Sequence, residues 1–367
     1  DEAFITRVMS RTWRLARCAR LLGAKSSGGR LRPMVRCARS FGSAPQALDV
    51  INKDTFLARL EANLPESVRS VRAVYSSQLG GLVTDPSLMV TPLDDHMVHR
   101  GHAVFDTCNI ANGKAYGLDF HLDRILRSAS LAQIHHSYSK EDLRKLVLHT
   151  IAAAGKRDNV LARFWLSAGR GDFAISPTNC TGASLYVAVT DYSFPLGDDP
   201  NEGIAETVVS VPLKPTLLAT IKSNNYMLNA LSAMEAESKG GQLGIMVDQA
   251  GMLAEASIAC VGLVTQEGVF KTPPFDRILA GTTLIRLLDL KQSLLDEQVL
   301  TGVEVGDVHI NELREAREIC SFGGGSLQAI TRLDGKMVGD GSLGPFTRAA
   351  HVLLRDDVLH NHQFLDD

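Results

Sequence analysis

The sequence lacks most of the compact motifs that announce a chemistry. It has no GxSxG elbow, no GxxxxGK[ST] phosphate loop, no HExxH helix, and no GxGxxG run between a strand and a helix as the pattern reads them. Those absences argue against α/β serine hydrolases, P-loop nucleotide enzymes, zinc peptidases and Rossmann dehydrogenases. No apolar run reaches the roughly 18 residues that a membrane helix needs, so no transmembrane segment is expected. The six cysteines, at positions 18, 37, 108, 180, 260 and 320, form no CxxC pair. Neither a zinc centre nor a disulfide framework is indicated, and the cysteines read as reduced thiols of a stromal or matrix compartment. His96, His99 and His102 are spaced by three, but no acidic or thiol partner stands at ligand spacing, so no metal is expected.

Acidic residues are missing from one stretch only. Between Ala3 and Leu48 there are nine Arg, one Lys and no Asp or Glu. Without that stretch and the two leading acids the chain holds 28 basic and 39 acidic residues, a net charge of −11 against −3 for the whole. An acidic body gives no general reason to bind nucleic acid. The Arg-, Ser- and Ala-rich segment, residues 1–48, reads as an organelle transit peptide, plastid before mitochondrial. The other reading is a disordered basic tail for RNA or anionic lipid. The sequence opens on Asp1, which leaves two possibilities: residues precede it, or Met9 is the initiator.

What is present is ordinary for a globular chain, with 45% hydrophobic and 22% charged residues. At about 100–200 residues per domain, 367 residues make room for two. The mature part is expected to start near Asp49, and the Pro-, Gly- and Asp-rich FPLGDDPNEG, 194–203, reads as a linker. Asp54 to Asn63 reads as an amphipathic helix, and VRAVYSSQLGGLVTDP as a hairpin around Gly80-Gly81. The 3–4 spacing of Leu122, Ile125, Leu126, Ala129 and Ala132 predicts a helix capped by Asp119. ARFWLSAGRGDF, ASLYVAVTDY, TVVSVPL and SLQAITRL read as strands. GIMVDQAGMLAEASIACVGLVTQEGVF reads as three strands with turns at Gly251 and Gly268. Helices are expected over Tyr226 to Lys239, after Gly281, at a cap on Asn311, and in PFTRAAHVLLRD.

One constellation in the second half could carry chemistry. Lys222 is read as lying just after a strand, in TIKSNNYMLNAL, and before a helix; on position alone it reads as a solvated helix-start lysine. Glu255 alternates within a strand either among apolar neighbours or into a site. Gly281-Thr282-Thr283 opens a helix, which offers free N–H groups, two hydroxyls and a positive dipole end to a phosphate. Arg124 could add a guanidinium fork. Gly323-Gly324-Gly325 is a weak phosphate-loop signal alone.

Four stretches together carry a resemblance: GHAVFDTCNIANGKAYGLDFHLDRILRSA, IKSNNYMLNALSAMEAESKGG, GMLAEASIACVGLV and PPFDRILAGTTLIRLLDL. In this order they resemble the fold-type IV pyridoxal-phosphate enzymes, which include branched-chain and D-amino-acid aminotransferases and aminodeoxychorismate lyase. DDHMVHRGHAVFDT and RFWLSAGRGDF are most similar to the plant branched-chain-aminotransferase-like proteins that act as plastid D-amino-acid aminotransferases. The resemblance implies a two-domain α/β (α+β) fold, with a small N-terminal α/β domain over 49–195 and a larger C-terminal domain over 204–367 that holds a barrel-like sheet, a homodimer, and pyridoxal 5'-phosphate between the domains. It makes Lys222 the catalytic Schiff-base lysine. It assigns Arg124, Gly281, Thr282 and Thr283 to the phosphate, Tyr226 to the neighbourhood of the phenolic oxygen, and Glu255 to the ring nitrogen. A buried lysine near cations loses its proton more easily, which makes it a nucleophile.

The implied reaction is transfer of an amino group from an amino acid, here a D-amino acid, to a 2-oxo acid. Lyase action on aminodeoxychorismate and branched-chain L-amino-acid transamination are the alternatives. Two departures stand out: Cys260 occupies a position that is usually Asn, and Ala168 one that is Arg in bacterial D-amino-acid aminotransferases. The substrate carboxylate is therefore left to Phe105, Arg100 and Arg163 as pocket candidates, with His99 and Arg170 as further cations.

Overall fold

Alternation of apolar residues builds the first sheet. In a computed structural model that describes residues 49–192, 202–360 and 363–364, strands β1 (Val71–Ser76), β2 (Gly81–Val83), β3 (Ala103–Ala111), β4 (Lys114–Ala115), β5 (Val160–Ser167) and β6 (Ser184–Asp191) pair antiparallel. A late two-residue strand, Gln363–Phe364, joins β4 at the edge. Val160, Ala162, Phe164 and Leu166 of β5 and Leu185, Val187 and Val189 of β6 turn one face inward at period two. Two helices cover that face, Leu118–Leu131 through Leu122, Ile125 and Ala129, and Lys140–Ala153 through Leu143, Val147 and Ile151. Each such fully buried side chain contributes about 1.5–3 kcal/mol. The contacts group Lys53–Asp367 into one unit.

The second sheet has both faces covered. Its path runs β12 (Gly302–Val305), β11 (Val269–Thr272), β10 (Cys260–Val264), β13 (Glu318–Gly323), β14 (Ser326–Leu333) and β15 (Lys336–Met337). The short strands β7 (Ile204–Glu206), β8 (Ile245–Val247) and β9 (Leu253–Ala256) attach at its side, and the whole curls as a half-barrel. Phe270 and Phe322 pack on one face beneath helices Thr282–Asp289, Lys291–Asp296 and Pro345–His360, the last of which contributes Phe346. Val261, Leu263, Ile319 and Ile330 fill the other.

Several expectations need correction. The helix after Gly117 starts two residues earlier than read, with Gly117 at the cap instead of Asp119, while Asp119 in its first turn pairs with Arg144. Helix Lys53–Ala62 buries no residue, so it has no packed stripe. His309, not Asn311, caps helix Ile310–Arg314, in a box with Glu312. Helix Lys140–Ala153, with a Ser139–Asp142 capping box, is absent from the sequence reading although its signal stands in the sequence.

TVVSVPL is not a strand. There Glu206, which is buried, takes the N–H groups of Gln242, Leu243 and Gly244, and the Val208 N–H goes to Asp334. Val208 still bridges Ile245 of β8, through the Val209 N–H to Ile245 O and the Ile245 N–H to Thr207 O, but the pairing does not extend beyond that single bridge. Nor does a strand lead into Lys222, since Thr216–Ala219 is a short helix. The three strands expected from GIMV onward are four, because Ser257–Ala259 break the run between β9 and β10. A GxGxxG spacing, Gly339 to Gly344, does lie between β15 and helix Pro345–His360. The start of that helix is filled by the Glu318 carboxylate, so it has no room for a phosphate. The basic segment 1–48 and most of the linker, 193–201, lie outside the described residues, as do 361–362 and 365–367.

Candidate active site

A cleft of about 850 Å³, mouth included, is walled by residues of both sheets. Its wall contains Lys222, Arg124, Tyr226, Glu255, Gly281, Thr282 and Thr283, which are far apart in sequence.

Lys222 is carried by a segment tied to the start of β3. The Phe105 N–H donates to Lys222 O at 2.9 Å, the Asn224 N–H to Ala103 O at 3.0 Å, and Ser223 bridges Val104. Its Nζ stands 4.8 Å from the centre of the Phe105 ring. Burial, then the Arg124 charge, pulls its pKa down to about 8, against the pulls of Asp106 and Glu255. The amine is thus largely neutral just above that pH.

Arg124 is held from two sides. Its Nε and Nη2 donate to Asp106, each at 2.8 Å, and its Nη1 donates to Ala280 O at 3.0 Å. Asp106 is fully buried and also meets His121 Nδ1 at 2.8 Å. Burial opposes its charge, but Arg124 and His121 outweigh it and hold the carboxyl far below the usual range. The same pairing outweighs burial at Arg124 and raises its pKa.

Glu255 faces Cys260 across the β9–β10 pair. One of its oxygens meets Lys214 Nζ at 3.4 Å and the other accepts the Leu279 N–H at 3.3 Å. Burial raises its pKa against the pull of Lys214. Tyr226, at the start of helix Met227–Ser238, stacks edge-on against Phe105 with ring centres 5.1 Å apart. Burial, then Glu255, pushes its phenol up. Gly281 precedes helix Thr282–Asp289 with no side-chain cap, so the first-turn N–H groups are open to a ligand. Thr283 Oγ1 accepts the Gly325 N–H at 2.8 Å, which ties the β13–β14 turn to the same helix start.

The residues present fit a phosphorylated pyridine. Cations, hydroxyls and free N–H groups stand together at Arg124 and the helix start, and a single carboxylate stands at Glu255. The Asn229 Oδ1 and Ser257 Oγ atoms are buried in this wall without a hydrogen-bond partner, as expected of atoms that wait for a ligand. The substrate candidates lie less favourably. The Arg100 guanidinium is taken by the carbonyls of Phe173, His99 and Ala174. Arg170 pairs with Asp94. Arg163 is exposed and donates from Nε to Thr107 Oγ1 of the wall at 3.2 Å, while the Phe105 ring stands against Lys222 and Tyr226.

Lys214, Asp106, His121, Asn109, Asn229 and Ser257 line the cleft and were not singled out by sequence. Asp106 carried a readable signal. It alternates in phase with Val104 and Cys108, and an acid on a buried face needs a partner.

The chain matches the family model described as amino-transferase class IV over residues 103–333. It is 42% identical over 288 residues to a chloroplastic D-amino-acid transaminase of Arabidopsis thaliana, covering 78% of this chain and 76% of that one. It is 25% identical over 283 residues to the D-alanine aminotransferase of Bacillus licheniformis, covering 76% and 95%. In fold it resembles the branched-chain aminotransferase of Thermoproteus uzoniensis with norvaline, at TM-score 0.69, 24% identity and 79% and 95% coverage. A second branched-chain aminotransferase, from T.th. and solved with pyridoxamine 5'-phosphate, shares the fold at TM-score 0.73, 20% identity and 81% and 99% coverage. Enzymes of this family use pyridoxal phosphate. With a match that spans most of β3 to β14, this chain belongs to the class IV aminotransferases.

Proposed function

We propose that this chain is a pyridoxal-5'-phosphate-dependent aminotransferase that exchanges the amino group of a D-amino acid for the oxo group of a 2-oxo acid. The observation that carries this reading is the single cleft that gathers Lys222, Arg124, Tyr226, Glu255 and the start of helix Thr282–Asp289. The 42% identity to a D-amino-acid transaminase favours the D-series donor. When bound, the cofactor supplies a pyridinium ring that draws electrons away from the substrate Cα.

The chain's residues do the rest. Arg124, fixed by Asp106, and the N–H groups and hydroxyls of Thr282 and Thr283 bind the phosphate. Glu255 accepts from the ring nitrogen, and Tyr226 stands by the phenolic oxygen. Lys222 would hold the cofactor through its Nζ amine and, with that amine freed by the substrate, would carry a proton at Nζ. The fall of its pKa to about 8 suits both tasks near neutral pH. Arg163 is the better substrate anchor of the three candidates, since carbonyls already hold Arg100 and Phe105 has only a ring face to offer. We read 49–195 and 204–367 as two domains around the cleft, the enzyme as a homodimer, and the plastid stroma as its place, in line with the chloroplastic relative.

Borohydride reduction followed by peptide mapping tests the core of this. Cofactor should be trapped on Lys222, and Lys222→Ala should lose the trap with roughly 10²–10⁴-fold or more of the rate. A variant that keeps full activity sinks the assignment. D- and L-alanine, D-aspartate and L-leucine, each with 2-oxoglutarate and with pyruvate, then define the donor. Transfer from L-leucine alone would move the reading to branched-chain chemistry. Pyruvate released from aminodeoxychorismate without an oxo-acid acceptor would move it to the lyase.

A further inference from the structure

Lys214 lies in VPLKP, outside every motif of the site, yet its side chain is only 10% exposed and lines the cleft. Its Nζ is 3.4 Å from Glu255 Oε1 and 5.6 Å from the centre of the Tyr226 ring. With the Leu279 N–H on Oε2, the Glu255 carboxylate has a donor on each oxygen, one of them charged. We propose that Lys214 is a positioning residue that holds Glu255 ionised and turned into the cleft, so that an anion stands ready for the cofactor's ring nitrogen. This rests on the cofactor reading above.

The other groups around Glu255 cannot do this. Lys222 has to be neutral to act, and its pKa is already down to about 8. Arg124 is held by Asp106 and Ala280. The Tyr226 phenol is pushed up, and burial drives the Cys260 thiol up to about 12, so both are neutral and bring no cation. Burial alone would take the charge from Glu255, and Lys214 is the largest force against it. Among the described residues, Lys214 is the one that forms an ion pair with the Glu255 carboxylate.

The test uses apoprotein and pyridoxamine 5'-phosphate, which forms no Schiff base and so leaves the Lys222 nucleophile out of the reading. Dissociation constants are measured by tryptophan fluorescence as a function of pH, since burial raises the carboxyl's pKa. Without Lys214 the carboxyl takes up its proton at higher pH. Lys214→Met should therefore match the wild type at the alkaline end and weaken on the acid side. Its midpoint should shift upward by roughly one to three units, the usual effect of an adjacent opposite charge. Lys214→Arg should restore the profile, and Glu255→Gln should flatten it. Lys214→Gln replaces the Met variant if that one does not fold. An equal loss at every pH, or no change, would overturn the proposal alone. A wild type that does not bind pyridoxamine phosphate, or a Glu255→Gln profile identical to wild type, would overturn the cofactor reading and this proposal with it.

Discussion

At the scale of single residues, Gly281 shows how one atom can hold a ligand site open. Its φ is −71°, which any residue adopts, so space is the constraint and not backbone strain. A Cβ there would meet Cys260 Sγ at 2.5 Å, with the next contact only at 3.8 Å, the Cys260 Cβ. Gly281→Ala must push the start of helix Thr282–Asp289 away from β10, at an overpacking cost of about 1–3 kcal/mol. Pyridoxal phosphate should then bind more weakly, because the N–H groups move. Cys260→Ala removes the clashing sulfur, so the double variant should regain most of the lost stability and affinity. Urea midpoints of the four proteins form the cycle, and strictly additive losses would refute the steric account.

The pairing of Gly281 with Cys260 was not legible in the sequence, where Cys260 stood only as a departure from the usual Asn. The residues proposed for the cofactor were picked out by motif order and a helix start, and the fold lines one cleft with them. Lys214 was not: a lysine between prolines has no periodic neighbours to place it, and only the fold brings it to Glu255.

At the scale of elements, helix Pro345–His360 is capped from another strand. Glu318 of β13 is buried and accepts the Phe346 N–H at 3.0 Å and the Thr347 N–H and hydroxyl, each at 2.8 Å. A Cβ on Gly344 would run into that carboxylate. Glu318→Gln turns an NH₂ toward one of these donors and leaves a buried N–H unpaired, which costs about 1–3 kcal/mol. The unfolding midpoint should fall, and hydrogen exchange at Phe346 and Thr347 should quicken; unchanged protection there would discard this cap. Sequence periodicity located this helix, since its buried positions Ala350, Leu354 and Val358 recur every four residues. It could not locate the cap, which comes from a distant strand. The same limit misread TVVSVPL: its β-branched residues suggest a strand, while Glu206, Asp334 and Glu235 take its backbone N–H groups or those around it.

At the scale of the whole molecule, the first sheet buries one face under two helices and leaves the other with an apolar cleft. Val74, Leu79, Val83, Leu88, Met89, Val90, Met97 and Trp165 line it, and Leu79 is 61% exposed. Monomers rarely expose apolar patches beyond a few hundred Å². A second copy of the chain is the occupant that fits the homodimer read above, since a two-fold interface places the same patch on both sides. A C₂ pair would bury Leu79 twice, so one charge there is felt twice. Light scattering at micromolar concentration should give about twice the mass of one chain for the wild type. Leu79→Asp, which sits on a turn between β1 and β2 and leaves both sheets intact, should shift the protein toward monomer. A wild type that stays monomeric at every concentration would end the dimer reading. A variant that dimerises like the wild type would move the interface to another face, such as the one where helix Met227–Ser238 exposes Met227 and Met234.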